Sequence, residues 1–164
     1  MMLQTVRQAH EQDLGRILDI YNQGIEDRIA TLETEKKDQA YIGNWLLEHQ
    51  GRYTALVAED QGEIAGWAAL NRYSHRCAYD GVADLSIYVD RAYRGKGIGS
   101  LLLPALEESA RKNSFYKIVL FTFPFNAGGQ ALYRKNGYRE VGVFEKQGRL
   151  DGRYIDVMIM EKLL

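Results

Sequence analysis

A chain of 164 residues, 46% hydrophobic and 26% charged, has room for one substantial core and the make-up of an ordinary soluble globular protein. Its formal net charge of -1 excludes a surface built throughout for nucleic acid, so any anion site must be local. The lone cysteine, Cys77, excludes an internal disulfide or a cysteine-rich metal centre, and His10, His49 and His75 lack zinc-ligand spacing.

The opening MMLQTVRQAHEQD carries charge early and has no long apolar run, and no segment reaches the roughly 20 apolar residues of a membrane span. The expected setting is the cytoplasm, with neither membrane nor nucleic acid as partner. Residues 3–7 read as a short strand. Leu14, Ile17, Leu18 and Tyr21 then recur at helical spacing behind Glu11 and Asp13, acids suited to a helix N-terminus. The polar stretch IEDRIATLETEKK leads to a second helix over 38–49, with Tyr41, Trp45 and Leu46 on its apolar side.

Strands follow at 53–59 and 63–70, joined by the hairpin signal Asp60-Gln61-Gly62. Beyond a loop over 71–80, ADLSIYV (83–89) reads as a central strand, and RAYRGKGIGS introduces a helix over 98–112. Residues 117–121 form another apolar strand, and a helix over 128–136 stops at Asn136-Gly137. Strands at 138–145 and 154–162, with a turn over 148–152, complete seven strands and four helices in one α/β domain spanning 1–164.

The informative run is Arg94-Gly95-Lys96-Gly97-Ile98-Gly99-Ser100, set between a strand and a helix. Glycines let successive N–H groups turn toward one point, and unpaired donors at a helix start hold an anion. Arg91, Arg94 and Lys96 are expected to add positive charge at the rim. A Walker loop needs Gly, four residues, then Gly-Lys-Ser/Thr, and that order is absent. The glycines at 95, 97 and 99 also miss the dinucleotide spacing. What they satisfy is R-x-x-G-x-G, through Arg94, Gly97 and Gly99.

With LSIYV ahead of RGKGIG, the sequence resembles the GCN5-related N-acetyltransferase family. A second match lies in FNAGGQALYRKNGY, where Asn126, Leu132, Tyr133, Gly137 and Tyr138 fit and Gly129 replaces the usual serine. The resemblance covers nearly the whole chain. It implies a mixed, mostly antiparallel sheet of about seven strands, splayed at the central strand, and acetyl-CoA as cofactor. Ile87, Tyr88 and Val89 would hold the pantetheine arm through their backbone, one donor serving the acetyl carbonyl. Residues Arg94, Gly95, Lys96, Gly97, Ile98, Gly99 and Ser100 would hold the pyrophosphate, and Asn126 would meet the pantetheine.

Within the family the chain looks most like the phosphinothricin and amino-acid N-acetyltransferase branch. The residues behind this are IYNQGI, Arg76-Cys77-Ala78-Tyr79-Asp80, and Gly152-Arg153-Tyr154-Ile155-Asp156-Val157. Some members carry a histidine in the late turn, where this chain has Leu150, Asp151 and Ile155. The branch implies a small amino-acid-like amine as acceptor, a homodimer, and Asp84 as the base. Tyr133, with an ordinary phenol near 10, would be the acid for the leaving thiolate. Arg76 would clamp an acceptor carboxylate, and Tyr79 would line the same pocket. Other acceptors (a protein N-terminus, a polyamine, an aminoglycoside) and a non-catalytic acyl-CoA sensor stand as alternatives.

Overall fold

A computed structural model describes residues 3–164. In chain order the elements are β1 (Gln4–Gln8), α1 (Leu14–Asp27), α2 (Gln39–Glu48), β2 (Ala55–Asp60), β3 (Glu63–Arg72) and β4 (Val82–Val89). There follow α3 (Ile98–Lys112), β5 (Lys117–Thr122), α4 (Ala127–Lys135), β6 (Arg139–Leu150) and β7 (Arg153–Leu163). The seven strands make one sheet in the order β1-β2-β3-β4-β5-β7-β6, antiparallel everywhere except between β4 and β5. The expected fold class, strand number and helix number agree with this.

Alternation along the strands sorts the side chains onto two faces. On one face Ala68, Leu70, Ala83, Leu85, Ile118 and Leu120 meet Ile98, Leu102, Leu103 and Leu106 of α3. On the other, Val57, Trp67 and Ala69 meet Ile17 and Ile20 of α1 and Ile42 and Leu46 of α2. Opposite the α3 side, β5 leaves Phe121 exposed, and Val143, Phe144 and Tyr154 are exposed on the β6–β7 hairpin.

The decisive feature is where β4 and β5 part. Their pairing runs only from Val82 opposite Lys117 to Asp84 opposite Val119. On its other side β4 stays paired with β3 through Val89 opposite Gly66. Past Asp84, one edge of β4 therefore has no strand beside it, as the expected splay requires.

β6 is longer than the sequence reading placed it. It continues to Leu150 through irregularities between Glu140 and Gly142 and between Phe144 and Gly148. The hairpin turn contracts to Asp151-Gly152, with φ of 50° and 79°, a two-residue turn whose positive φ values suit Asp-Gly. The bulges absorb the residues that made the stretch look like a loop; at Lys146, φ is 51° and the N–H donates to Asp156 Oδ1 at 2.7 Å.

Candidate active site

The fork between β4 and β5 opens into a cavity of about 710 Å³, walled by β4, the loop into α3, the start of α4 and the end of α1. The main-chain N–H of Asp90 bonds to Ala65 of β3, at 2.8 Å. Strand alternation then turns Tyr88 and Ser86 toward β3 as well, and leaves the N–H and C=O groups of Ile87 and Val89 on the free edge. Of the three residues assigned to backbone contacts, two thus offer main-chain groups to the cavity. Tyr88 contributes its ring instead, which packs against Gly24 of α1.

The glycine loop delivers α3 to the cavity end-on. Gly97 takes φ of 86° at the N-cap, a left-handed conformation that a side chain would oppose. The first intrahelical bond is Leu101 N–H to Gly97 O, 3.1 Å, so the N–H groups of Ile98, Gly99 and Ser100 have no helical partner. No acidic side chain sits in that first turn to compete for them. Gly99 also admits Leu132 of α4, because a Cβ there would lie 2.6 Å from Leu132 Cδ2. The two helices can meet so closely only at glycine.

Charge at the rim differs from expectation. Arg91 is spent on α1, donating to Glu26 at 2.9 Å and Asp27 at 2.8 Å. Arg94 lies 2.7 Å from the same Asp27 and donates to Val89 O at 3.2 Å. Lys96 sits over the Tyr93 ring, 5.6 Å from its centre, and is not in the cavity wall. An anion at this loop would meet backbone donors first and side-chain cations second.

Asp84 stands at the crotch of the fork. Burial is the main cause that pushes its carboxyl up to about 7, against hydrogen bonds from the Leu85 N–H and the Asn71 amide. Across the cavity Tyr133 is 8% exposed on α4. Burial, with the charge of Asp84 and the neighbouring Tyr88, raises its phenol above the ordinary value. The expected balance between a phenol near 10 and a thiol is therefore not met. Tyr133 is better suited to donate a hydrogen bond to a thiolate than to surrender its proton.

Asn126 caps α4, accepting from the Gly129 N–H at 3.0 Å, and its Nδ2 is 3.4 Å from Thr122 Oγ1. Gly129, the departure from the usual serine, is what lets Asn126 fold over: a Cβ at 129 would lie 2.5 Å from Asn126 Nδ2. Arg76 and Tyr79 are not brought into the cavity wall; both are exposed on the loop before β4. Tyr79 alone is linked to it, through a ladder of rings. Tyr79 lies 6.2 Å from Tyr73, which stacks on Phe121 at 6.5 Å, and Phe121 does line the cavity. Phe121 and Thr122 escaped the sequence reading, since only the pairing of Asp84 with Val119 shows that β5 carries them to this wall.

A free strand edge and a helix N-terminus without an acid, both on one cavity, suit the thioester, pantetheine and pyrophosphate of acetyl-CoA. Residues 16–138 match the model of the acetyltransferase (GNAT) family. The chain belongs to that family. It is an acetyltransferase that uses acetyl-CoA. It is 32% identical to the L-methionine sulfoximine/L-methionine sulfone acetyltransferase of Pseudomonas aeruginosa, over 98% of this chain and 94% of that one. A phosphinothricin acetyltransferase of Sinorhizobium meliloti, solved in complex with acetyl-CoA, superposes with TM-score 0.93 and 29% identity, covering 99% and 89% of the two chains. A ribosomal-protein-alanine N-acetyltransferase from Brucella melitensis superposes with TM-score 0.94 and 32% identity, covering 98% and 99%. Among the described residues of the acetyltransferase no helix is long and apolar enough to cross a membrane.

Proposed function

We propose that this acetyltransferase transfers the acetyl group of acetyl-CoA to the amine of a small amino-acid-like acceptor of the methionine sulfoximine or phosphinothricin type, by direct attack with Asp84 as base. One observation carries the reading: a carboxyl pushed up to about 7 sits where β4 leaves β5, beside the free main-chain donors of the same strand. When bound, acetyl-CoA supplies an activated carbonyl for the amine nitrogen and a thiolate as leaving group. Asp84 takes the proton that the ammonium form of the acceptor must lose, a task for which an ordinary carboxylate near 3.9 is too weak a base. The free N–H groups of Ile87 and Val89 offer donors for the carbonyl oxygen as charge grows on it. Tyr133 donates its hydroxyl hydrogen bond to the departing sulfur, which takes up the second proton that the amine nitrogen loses as the amide forms and leaves as the free thiol.

The acceptor's carboxylate falls to Arg76, whose guanidinium has no ion-pair partner among the described residues and which lies on the same exposed loop as Tyr73 and Tyr79. Residues 1–164 act as one catalytic domain. Two copies associate as a homodimer through the β6–β7 side, where Val143, Phe144 and Tyr154 are exposed. An exposed lone thiol at Cys77 suits a reducing compartment, the cytoplasm.

The test is free-thiol release from acetyl-CoA over a panel of amines. It holds methionine sulfoximine, phosphinothricin, methionine sulfone, ordinary amino acids, spermidine, an aminoglycoside and a peptide beginning with alanine. Turnover is expected on the first three. Turnover on the peptide alone would replace this reading with protein N-terminal acetylation, the activity in the name of the Brucella structure. Silence throughout, with acetyl-CoA still bound, would make the chain a binding protein.

A further inference from the structure

Two large apolar side chains that the core leaves in water lie against the cavity. Ile29, in the segment after α1, and Phe121, at the end of β5, are each 43% exposed, and both line its wall. Among the described residues neither packs into the apolar clusters on the two faces of the sheet. One exposed apolar side chain needs no explanation, but two on one cavity mark a wall that a ligand covers. They share the side of the sheet away from α3. On β5, Ile118 and Leu120 meet α3, so Val119 and Phe121 stand on the opposite face. On β4, Leu85 and Ile87 belong to the α3 side, so Asp84, Ser86 and Tyr88 take the other, where Tyr88 packs with the α1–α2 cluster. The segment that carries Ile29 is seated at two points on the β6–β7 hairpin. Arg28 Nε donates to Asp151 Oδ2 at 2.9 Å, and a Cβ at Gly148 would lie 2.5 Å from Leu32 Cδ1. On this face the fork thus opens into a slot beside Asp84, walled by Ile29, Ala30, Ser86, Tyr88 and Phe121.

Charge around the slot is one-sided. Among the described residues that line the cavity the cations are Arg94 and Lys135. Arg94 opens the glycine loop and lies 2.7 Å from Asp27. Lys135 is on α4, whose Leu132 meets Gly99 of α3. Both therefore stand with the donor loop. The acids of the wall are Asp27 and Asp84. Arg76 lies outside the wall and is already assigned to the acceptor's own carboxylate. A side chain entering the slot meets apolar carbon and the carboxyl of Asp84, with no cation of the wall to pair with. Like charges a few ångströms apart repel strongly where water is scarce, and an unpaired charge is costly to take out of water.

We propose that Ile29 and Phe121 determine acceptor specificity: they sheathe the acceptor's side chain and favour an apolar stem with an uncharged end, as in methionine sulfone, over one with an anionic end, as in phosphinothricin or glutamate. This rests on the reading of the acceptor as a small amino acid acetylated beside Asp84. The two kinds of acceptor share the amine and the α-carboxylate, so they meet Asp84 and Arg76 alike. What separates them is the far end of the side chain, and that end lies against Ile29 and Phe121. Phosphinothricin still turns over, at a disadvantage set by its phosphinate.

The experiment is kcat/KM for two matched pairs of acceptors, methionine sulfone against phosphinothricin and glutamine against glutamate, with KM for acetyl-CoA followed in parallel. The proteins are the parent, Ile29→Lys, Phe121→Lys and Ile29→Gln. The parent should favour the neutral member of each pair by about tenfold, the effect of one like charge near Asp84 in a partly screened site. Ile29→Lys and Phe121→Lys set a cation at the slot and should raise kcat/KM for phosphinothricin by about tenfold while lowering it for methionine sulfone. Ile29→Gln removes apolar surface without adding charge, so it should lower the sulfone and leave phosphinothricin no better. KM for acetyl-CoA should hold within about twofold throughout, since the donor loop is untouched. Equal efficiency within each pair in the parent overturns the proposal. So does a fall by the same factor on all four acceptors in both lysine variants, which is what a role confined to folding would give. Silence of the parent on all four, with acetyl-CoA still bound, is a separate outcome, which removes the amino-acid reading and the slot's role with it.

Discussion

The two ends of the cavity are built from different materials. The end proposed to take acetyl-CoA is made of main chain: the edge of β4 past Asp84, the glycine turn at Gly97 and the first N–H groups of α3. The proposed acceptor side draws instead on side chains of separate segments, Phe121 in the cavity wall at the end of β5 and, outside that wall, Tyr73, Arg76 and Tyr79 on an exposed loop. A backbone site keeps its geometry so long as the fold does, and single substitutions of its polar neighbours change it little. A side-chain site can be retuned residue by residue. One scaffold can therefore keep a single acetyl donor while its acceptors vary.

Substitutions can break or sharpen that contrast. Tyr133 belongs to neither end: it lines the cavity from α4, is proposed to face the departing sulfur, and should show the largest effect. Tyr133→Phe removes one hydroxyl from a buried site without changing its shape. We expect kcat to fall by about a hundredfold, the cost of losing one donor to developing charge, with KM for acetyl-CoA nearly unchanged. Equal losses in both would return Tyr133 to the core that Tyr138 and Met158 occupy. Next in size is Arg76→Ala. If the guanidinium grips the acceptor carboxylate, KM for the amino acid should rise about tenfold, as a lost charge-assisted fork predicts, while KM for acetyl-CoA stays put. An unchanged KM for the amino acid would leave Arg76 a solvated loop residue.

What could be read from the chain divides along the same line. Gly95, Gly97 and Gly99 pointed to a tight turn into α3, which the structure shows at Gly97, because such a turn has a local signature in neighbouring residues. Asp84 and Tyr133 came from motif positions, and the structure brings both to the same cavity. Asn71 was missed as a neighbour of Asp84, because only the register of β3 on β4 sets the two side by side. Phe121 was missed for the same reason. The length of β6 was underestimated because bulges at Glu140 and Phe144 break the period-2 pattern on which a strand is recognised.

The rim arginines mark the limit of reading charge from sequence, and they give the smallest predicted effect. Arg91 looks as available to a phosphate as Arg94, only three residues before it. Its guanidinium is held by Glu26 and Asp27 near the end of α1, 64 residues and more away in sequence. These contacts lower Glu26, first through Lys36 and then through Arg91, and keep Asp27 below the usual carboxylate range despite its burial. A cation already neutralised by two carboxylates adds little to the field at the cavity, and the exposed pairs are screened by salt. Arg91→Ala should therefore alter KM for acetyl-CoA by less than about twofold at physiological ionic strength. A rise of tenfold or more would show that Arg91 leaves Glu26 and Asp27 when the cofactor binds. The donor end would then depend on side-chain charge as the acceptor end does, and the contrast between the two would fail.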